Sequence, residues 1–443
     1  MRDGSGTSIR VIAPLRDFLA LETASAILIV AATIWALVWR NGPWTTYETF
    51  WQTKASIRVG SAGLSLDLRH WVNEALMALF FFVAALEIKR ELVEGELQDR
   101  KRALLPVCAA VGGMVVPTLL FLGVIGGGAA RRGWGIPMAT DIAMALAAIT
   151  LLGNRVPSRL KLFVLALAIV DDIGAIVVIA FVYSTGIKWE WLVVAAATVA
   201  ALFILRRRGS SSAIGLLSGG VLLWLALHEA GVHATIAGVI FGALTPARPV
   251  LSADLVDQSE LVDLSTLAAA ETTVRLARST VSELERLEHR FHPWTSYAIL
   301  PVFALANAGV SLKGSDLEAA LRQPLMWSVA IGLVVGKPLG IVLATWIAVR
   351  FRIASLPEGV RWSELFGVAT LCGIGFTVSI FISDRAFTSE RLQSAATIGI
   401  LLGTLSAAVL GAVILSFPGR KGRRRRSQPT ASQIIKASTE PAD

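Results

Sequence analysis

Apolar runs separated by short charged connections dominate the chain. They lie near 18–39, 71–92, 103–126, 134–152, 158–183, 190–206, 212–228, 231–246, 293–312, 325–349, 363–383 and 393–416. At about 1.5 Å per residue, runs of this length match the ~30 Å hydrocarbon core of a bilayer. The pattern predicts an all-α polytopic membrane protein with twelve transmembrane helices. The weak alternating strands of a membrane barrel are missing. An even count of spans puts both termini on one side. The termini and the even-numbered connections carry most of the 41 Lys and Arg residues, which places that side in the cytoplasm. The expected layout is a cytoplasmic N-terminus at 1–17, a membrane domain at 18–416 and a basic tail at 417–443. Residues 1–17 mix charges with Gly and Pro, and no small-residue cleavage site follows. The first run is therefore read as a retained helix rather than a signal peptide.

Two connections are more than turns. Within 45–70, residues of strand type alternate on both sides of Gly60-Ser-Ala-Gly63, which predicts a β-hairpin outside the membrane. The cytoplasmic connection 248–291 is acidic. Leu261, Leu264 and Leu267, then Leu284 and Leu287, recur at helical spacing, so one or two surface helices are expected there.

Composition narrows the class. The chain is 54% hydrophobic and only 16% charged, with mean hydropathy +0.65. Soluble domains, disorder, disulfide scaffolds and fibrous repeats do not have this balance. The net charge of +9 is explained by basic cytoplasmic loops and needs no nucleic acid. The block Arg420, Lys421, Arg423–Arg426 reads as a solvated anchor near anionic lipid. Cys108 and Cys372 both lie inside apolar runs and read as small thiols rather than a disulfide. His228-Glu229, at the end of a short span, reads as interfacial.

Charges inside the runs carry the functional signal, because a mid-bilayer charge costs several kcal/mol. Asp171 and Asp172 are the sole charges between Leu162 and Ile187. Asp141 is alone between Gly133 and Asn154, and Lys337 between Gln323 and Val349. A salt bridge that fixes helix register would explain one carboxylate against one lysine; a second, adjacent carboxylate needs a further cation. Paired carboxylates in low dielectric suit a task in which protons and a small hard cation compete for the same oxygens. No G-x-x-x-x-G-K-[ST] loop is present, so the pattern gives no support to ATP-driven pumping.

Two runs are interrupted. The first reads Gly133-Trp-Gly135-Ile-Pro137-Met-Ala-Thr140-Asp141, the second Cys372-Gly373-Ile-Gly375-Phe-Thr377. Gly and Pro loosen the backbone there, and Thr hydroxyls can satisfy freed groups. The interruptions fall in the fourth and eleventh runs, the middles of the sets 3–5 and 10–12. Such sets have opposite orientations, which predicts inverted three-helix repeats with broken helices crossing at the midplane. Asp141 is suited to balance half-helix N-termini there and Lys337 the C-termini. Close helix packing is the competing explanation for glycines, most of all for Gly112 and Gly113.

The sequence resembles the NhaA-type sodium/proton antiporters. The resemblance rests on Ala139–Ala143, Ala166–Ile176, Gly231–Gly238, Asn307–Leu312, Gly336–Gly340 and Leu371–Thr377, with Gly112–Pro117 and Leu86–Glu91, in order from about residue 15 to 415. That family is itself a type example of inverted repeats. The resemblance implies electrogenic exchange of cytoplasmic Na+ or Li+ for external H+ in a bacterial inner membrane, without a resident cofactor. It implies that Asp172 is the principal cation ligand, that Asp171 partners Lys337, and that Thr140 and Asp141 belong to the crossing. It assigns Glu87, Arg90, Glu91, Glu288 and His292 to a pH-activation cluster and His233 to the pH response. It also makes the 56–68 hairpin the contact of a homodimer. The acidic 248–291 connection and the arginine-rich tail depart from the family pattern.

Two other classes use similar residues. An intramembrane aspartyl protease needs two membrane aspartates, but its Gly-x-Gly-Asp motif is missing. A passive cation channel needs a carbonyl filter or a continuous polar path, and no filter-like string is present.

Overall fold

The computed structural model describes residues 6–59, 62–95, 97–184, 186–207, 213–247 and 281–417. Leu261, Leu264 and Leu267 and the arginine-rich tail lie outside them. The chain begins with α1 (Gly6–Asn41) and the short α2 (Thr46–Trp51), then the strands β1 (Lys54–Val59) and β2 (Ala62–Asp67). Helix α3 (Leu68–Trp71) runs through a π turn (Val72–Leu76) into α4 (Met77–Val93). Next come α5 (Arg100–Ile125), a 3₁₀ segment (Ala129–Met138), α6 (Ile142–Leu151), α7 (Ser158–Val182), α8 (Trp189–Arg207), α9 (Ala213–Glu229) and α10 (Thr235–Leu244). After the connection, α11 (Glu283–Trp294), a π turn (Thr295–Ile299) and α12 (Leu300–Asn307) follow one another without a break. Helix α13 (Gly314–Leu321) leads to α14 (Pro324–Ile331), a π turn (Gly332–Gly336) and α15 (Lys337–Arg350). The chain ends with α16 (Trp362–Leu371), α17 (Phe376–Ala386) and α18 (Glu390–Ser416).

Among the described residues, seven helices are long and apolar enough to cross a membrane, or nine if each of two bent pairs counts as one span. The bent pairs are Ala129–Met138 with Ile142–Leu151, at 43°, and Trp362–Leu371 with Phe376–Ala386, at 49°. Two further apolar helices, Gly215–Glu229 and Thr235–Leu244, are shorter. The chain is thus a multi-pass membrane protein. Large apolar side chains such as Leu119, Phe181 and Leu405 stay exposed, the surface that a lipid solvent asks for.

The hairpin forms as the alternation predicts. Its strands are antiparallel, with Ser56 opposite Ser65 and Arg58 opposite Gly63. Asp67 ends β2 and caps α3, accepting from the His70 backbone N–H, which anchors the hairpin to the start of the α4 span. We call this side of the molecule the hairpin face.

Two apolar cores flank the middle of the protein. One, nearer the hairpin face, gathers Phe81, Phe121, Phe303, Phe376 and Phe381. The other gathers Leu105, Leu146, Phe163, Leu167, Leu365 and Cys372. The glycines of α5 serve packing. A Cβ on Gly112 would stand 2.3 Å from the Gly340 carbonyl oxygen, so α5 and α15 touch backbone to backbone. Cys108 is half-buried and Cys372 buried, and both are free thiols.

Candidate functional site

Between the two cores the broken helices cross. The 3₁₀ segment stops at Met138 and α6 restarts after Asp141; α16 stops at Leu371 and α17 restarts after Gly375. The freed backbone groups find partners across the crossing. The Asp141 N–H donates to the Ile374 carbonyl at 2.7 Å, and the Thr140 hydroxyl donates to the Cys372 carbonyl at 3.0 Å. Gly373 permits the approach, since a Cβ there would lie 2.4 Å from the Leu333 carbonyl oxygen. Gly375 does the same beside the Ala139 carbonyl oxygen, at 3.0 Å. Pro137 packs on Gly332, within the π turn that precedes Lys337.

Asp141 satisfies two helix N-termini at once. Its Oδ1 accepts from the Met144 N–H of α6 at 3.1 Å. Its Oδ2 accepts from the Thr377 N–H of α17 at 3.0 Å and from the Thr377 hydroxyl at 2.6 Å. A carboxylate here complements the partial positive charge of both half-helices. Lys337, fully buried, donates to the Met138 carbonyl at the C-terminal end of the 3₁₀ segment. It complements the partial negative charge of that end.

Lys337 Nζ also holds Asp171 Oδ2, at 2.5 Å. Neighbouring helical side chains point about 100° apart, so Asp172 cannot share this partner from the same direction. Asp172 is half-buried and, among the described residues, makes no hydrogen bond or ion pair. Thr140 faces the Asp171 carboxylate, but its hydroxyl is committed to Cys372. Asp171 Oδ1 is left buried without a hydrogen bond. Three carboxylates and one ammonium therefore meet at the crossing. One carboxylate is saturated by backbone, one is half-used, and one is open. Among the described residues no three His, Cys, Asp or Glu side chains converge as a metal cage. A cation joining Asp171 and Asp172 would need carbonyl, hydroxyl or water oxygens to complete its shell.

A second cluster lies at the opposite face. His292 Nε2 sits 3.1 Å from Glu87 and 3.2 Å from Glu22. Arg90 pairs with Glu288 at 2.5 Å, and Glu91 is 4.0 Å from Arg90. Burial raises the Glu288 carboxyl to about 7, helped by the Glu87 charge and opposed by Arg90. Burial alone would lower His292, but its hydrogen bonds to Glu22 and Glu87 win and hold it at about 10. Leu284 of α11 anchors the cluster against Phe82, Val83 and Leu86.

His233 is not part of this cluster. It lies at the hairpin face, with Nε2 3.0 Å from the Tyr183 carbonyl and Nδ1 3.4 Å from Arg385. Glu22, Glu74 and Arg385 were missed in the sequence reading. Glu22 and Glu74 sit inside the runs 18–39 and 71–92 but within five residues of their starts, where a charge does not stand out as Asp171, Asp172 and Lys337 do.

A family profile described as Na+/H+ antiporter 1 matches residues 16–415. The chain belongs to the Na+/H+ antiporter 1 family. It is 43% identical to Na(+)/H(+) antiporter NhaA 3 of Frankia alni, over 95% of this chain and 92% of that protein. Identity to NhaA of Rhodopirellula baltica is also 43%, over 94% of this chain and 96% of the relative. NhaA 1 of Syntrophotalea carbinolica is 44% identical over 94% and 99% respectively. The match covers the crossing, the His292 cluster and the hairpin, all of which fall within residues 16–415.

Proposed function

We propose that the protein exchanges cytoplasmic Na+ (or Li+) for external H+, driven by the proton gradient, with more protons entering than sodium ions leaving. The observation that carries this reading is the pair of open oxygens at the crossing: Asp171 Oδ1, buried and unbonded, beside the unpartnered, half-buried Asp172. A structural ion pair with Lys337 accounts for one of the two aspartates and leaves the second without a cation. Protons or a cation can satisfy these oxygens, not both, and that competition is sufficient for exchange. Asp141, Thr140, Thr377 and Lys337 tie the broken helices to one another around them. Lys337 balances Asp171, so that the site's charge changes with the load it carries.

In this reading the chain has twelve spans, with inverted repeats formed by spans 3–5 and 10–12. Both termini lie in the cytoplasm and the hairpin faces outward, in a bacterial inner membrane. The hairpin pairs with its copy to make a homodimer. Deleting 56–68 should weaken the dimer in detergent without ending transport. An equally stable dimer after deletion rules that contact out. The exchange itself is tested in everted vesicles. Na+ or Li+ added after respiration should collapse the pH gradient, and K+ should not. A gradient indifferent to Na+ and Li+ across the pH range would refute the proposal.

A further inference from the structure

Helix α17 carries a second constellation that the exchange site does not use. Thr377, Phe381 and Arg385 are spaced four residues apart and so share one stripe of the helix. Thr377 is bonded to Asp141 at the crossing. Phe381, one turn on, packs against Phe81 at 5.3 Å and Phe303 at 6.2 Å between ring centres. All three rings are buried. Arg385, a further turn on, lies over the Phe381 ring at 5.1 Å and forms an ion pair with Glu74. Its guanidinium also donates to the Asn73 carbonyl at 3.2 Å and faces Asp384 at 3.5 Å. Beside this stripe, Ser383 and Asp384 line a hairpin-face cavity of about 80 Å³, together with Asn307, Arg69 and Glu48. The Ser383 hydroxyl is buried there without a partner.

We propose that Glu74 and Arg385 form the latch that closes the hairpin face of the transport path, with Phe81, Phe303 and Phe381 as the apolar plug beneath it. Three observations favour a contact that breaks during the cycle over a permanent anchor. The pair is incompletely satisfied, since Glu74 Oε2 is buried without a hydrogen bond and Arg385 Nε has only the Asp384 carboxylate at 3.5 Å. Glu74 lies inside a π turn, a local weakness in the helix that recurs at functional positions. Arg385 stands in the last turn of a half-helix whose other end grips Asp141. Motion at the crossing is thereby delivered to the latch by eleven residues of rigid helix. The latch gives the proposed exchanger one of the two barriers that alternating access requires.

The test uses Asp172→Cys as a reporter in a chain whose two native cysteines, Cys108 and Cys372, are replaced by Ser. A small, cationic, membrane-impermeant methanethiosulfonate is added from the hairpin face. With the latch intact, labelling should be slow. Arg385→Gln or Glu74→Gln removes a contact made only in the closed state and should speed it roughly tenfold. Arg385→Lys and the exchanged pair Glu74→Arg with Arg385→Glu should both label slowly. Equal rates in all variants would overturn the latch. If the neutral variants do not accumulate, Glu74→Cys with Arg385→Cys removes both charges together, leaving neither uncompensated. Bridging these thiols with a bifunctional reagent, in a chain with Asp172 intact, should stop Na+-driven proton movement until the bridge is reduced. Full exchange through a complete bridge would also overturn it. Loss of exchange in the unbridged, Asp172-intact parent counts against the antiport reading instead, and leaves the labelling result standing.

Discussion

The crossing and the His292 cluster are both gatherings of acidic side chains around too few cations, and they resolve the excess differently. At the crossing the backbone does the compensation. Asp141 is consumed by two helix N-termini, and Lys337 spends one bond on a helix C-terminus and one on Asp171. What remains is a surplus of carboxylate oxygen with nothing assigned to it. At the opposite face compensation is by side chains alone. Glu22 and Glu87 share His292, and Glu288 takes Arg90. There the charge balance depends on a proton on His292. In the proposed exchanger the first region would take up the ion, and the second would respond to protons through Glu288 more than through His292.

Asp172→Asn should break the first region outright. An amide can neither lose a proton nor contribute a full charge to a cation. Exchange should fall to background while the protein still inserts. Strong Na+-driven proton movement in a well-expressed variant would remove Asp172 from the site.

Lys337→Ala should cost on the order of 3–5 kcal/mol of stability, the usual effect of breaking a buried pair from one side. The loss is compounded here because the Met138 carbonyl also loses its donor. Thermal melting in detergent reads it, with Asp172→Asn as the comparison expected to melt near the parent. A Lys337→Ala protein as stable as Asp172→Asn would mean that this ion pair contributes no net stability.

These two residues were visible in the sequence because each is the lone charge, or half of a lone pair, in a long apolar run. The crossing was visible for a related reason: Gly, Pro and Asp coincide at one interruption, and two glycines and a threonine at the other. The hairpin was visible from its period of two. Which partner each group takes was not. Asp141 and Thr377 are 236 residues apart, and no local pattern tells Asp141 to cap α17 as well as α6. Nor does any local residue type mark the three π turns, which arise where packing forces an extra residue into a helical turn. Glu22 and Glu74 stood near the ends of their runs, where a charge is cheap. Burial of both is a tertiary fact.

The second region makes a pH prediction for stability. His292 titrates at about 10 in the fold against an ordinary 6.5. Its contribution is fully present below about 6.5 and is lost as the pH rises toward 10. Glu288, raised to about 7 from 4.5, has the same sign in a lower window. Its ionisation removes stability as the pH rises from about 4.5 to 7. The melting temperature should therefore fall on alkalinisation. Glu288→Gln should flatten the lower part of that slope, and His292→Gln the upper part, each by a few degrees. A slope unchanged in both variants would show that the cluster does not sense protons.

The smallest effect separates the two regions in function. Transport should be nearly off in acid and rise on alkalinisation, for one of two reasons. If protons simply hold the crossing, Na+ competes with them directly. Raising Na+ should then move the activation midpoint to lower pH, by up to about one unit per tenfold in Na+ for one displaced proton. If the His292 cluster is a separate switch, the midpoint should stay near its own titration whatever the sodium concentration. We expect competition to be the larger contribution. The open oxygens are at Asp171 and Asp172, whereas His292 is held protonated to about 10 and so changes little near neutrality. Within the cluster, burial raises Glu288 to about 7, a titration at the right pH. Repeating the sodium series in Glu288→Gln isolates its share. A midpoint fixed against sodium in the parent and freed in Glu288→Gln would transfer the control of activation from the crossing to the cluster.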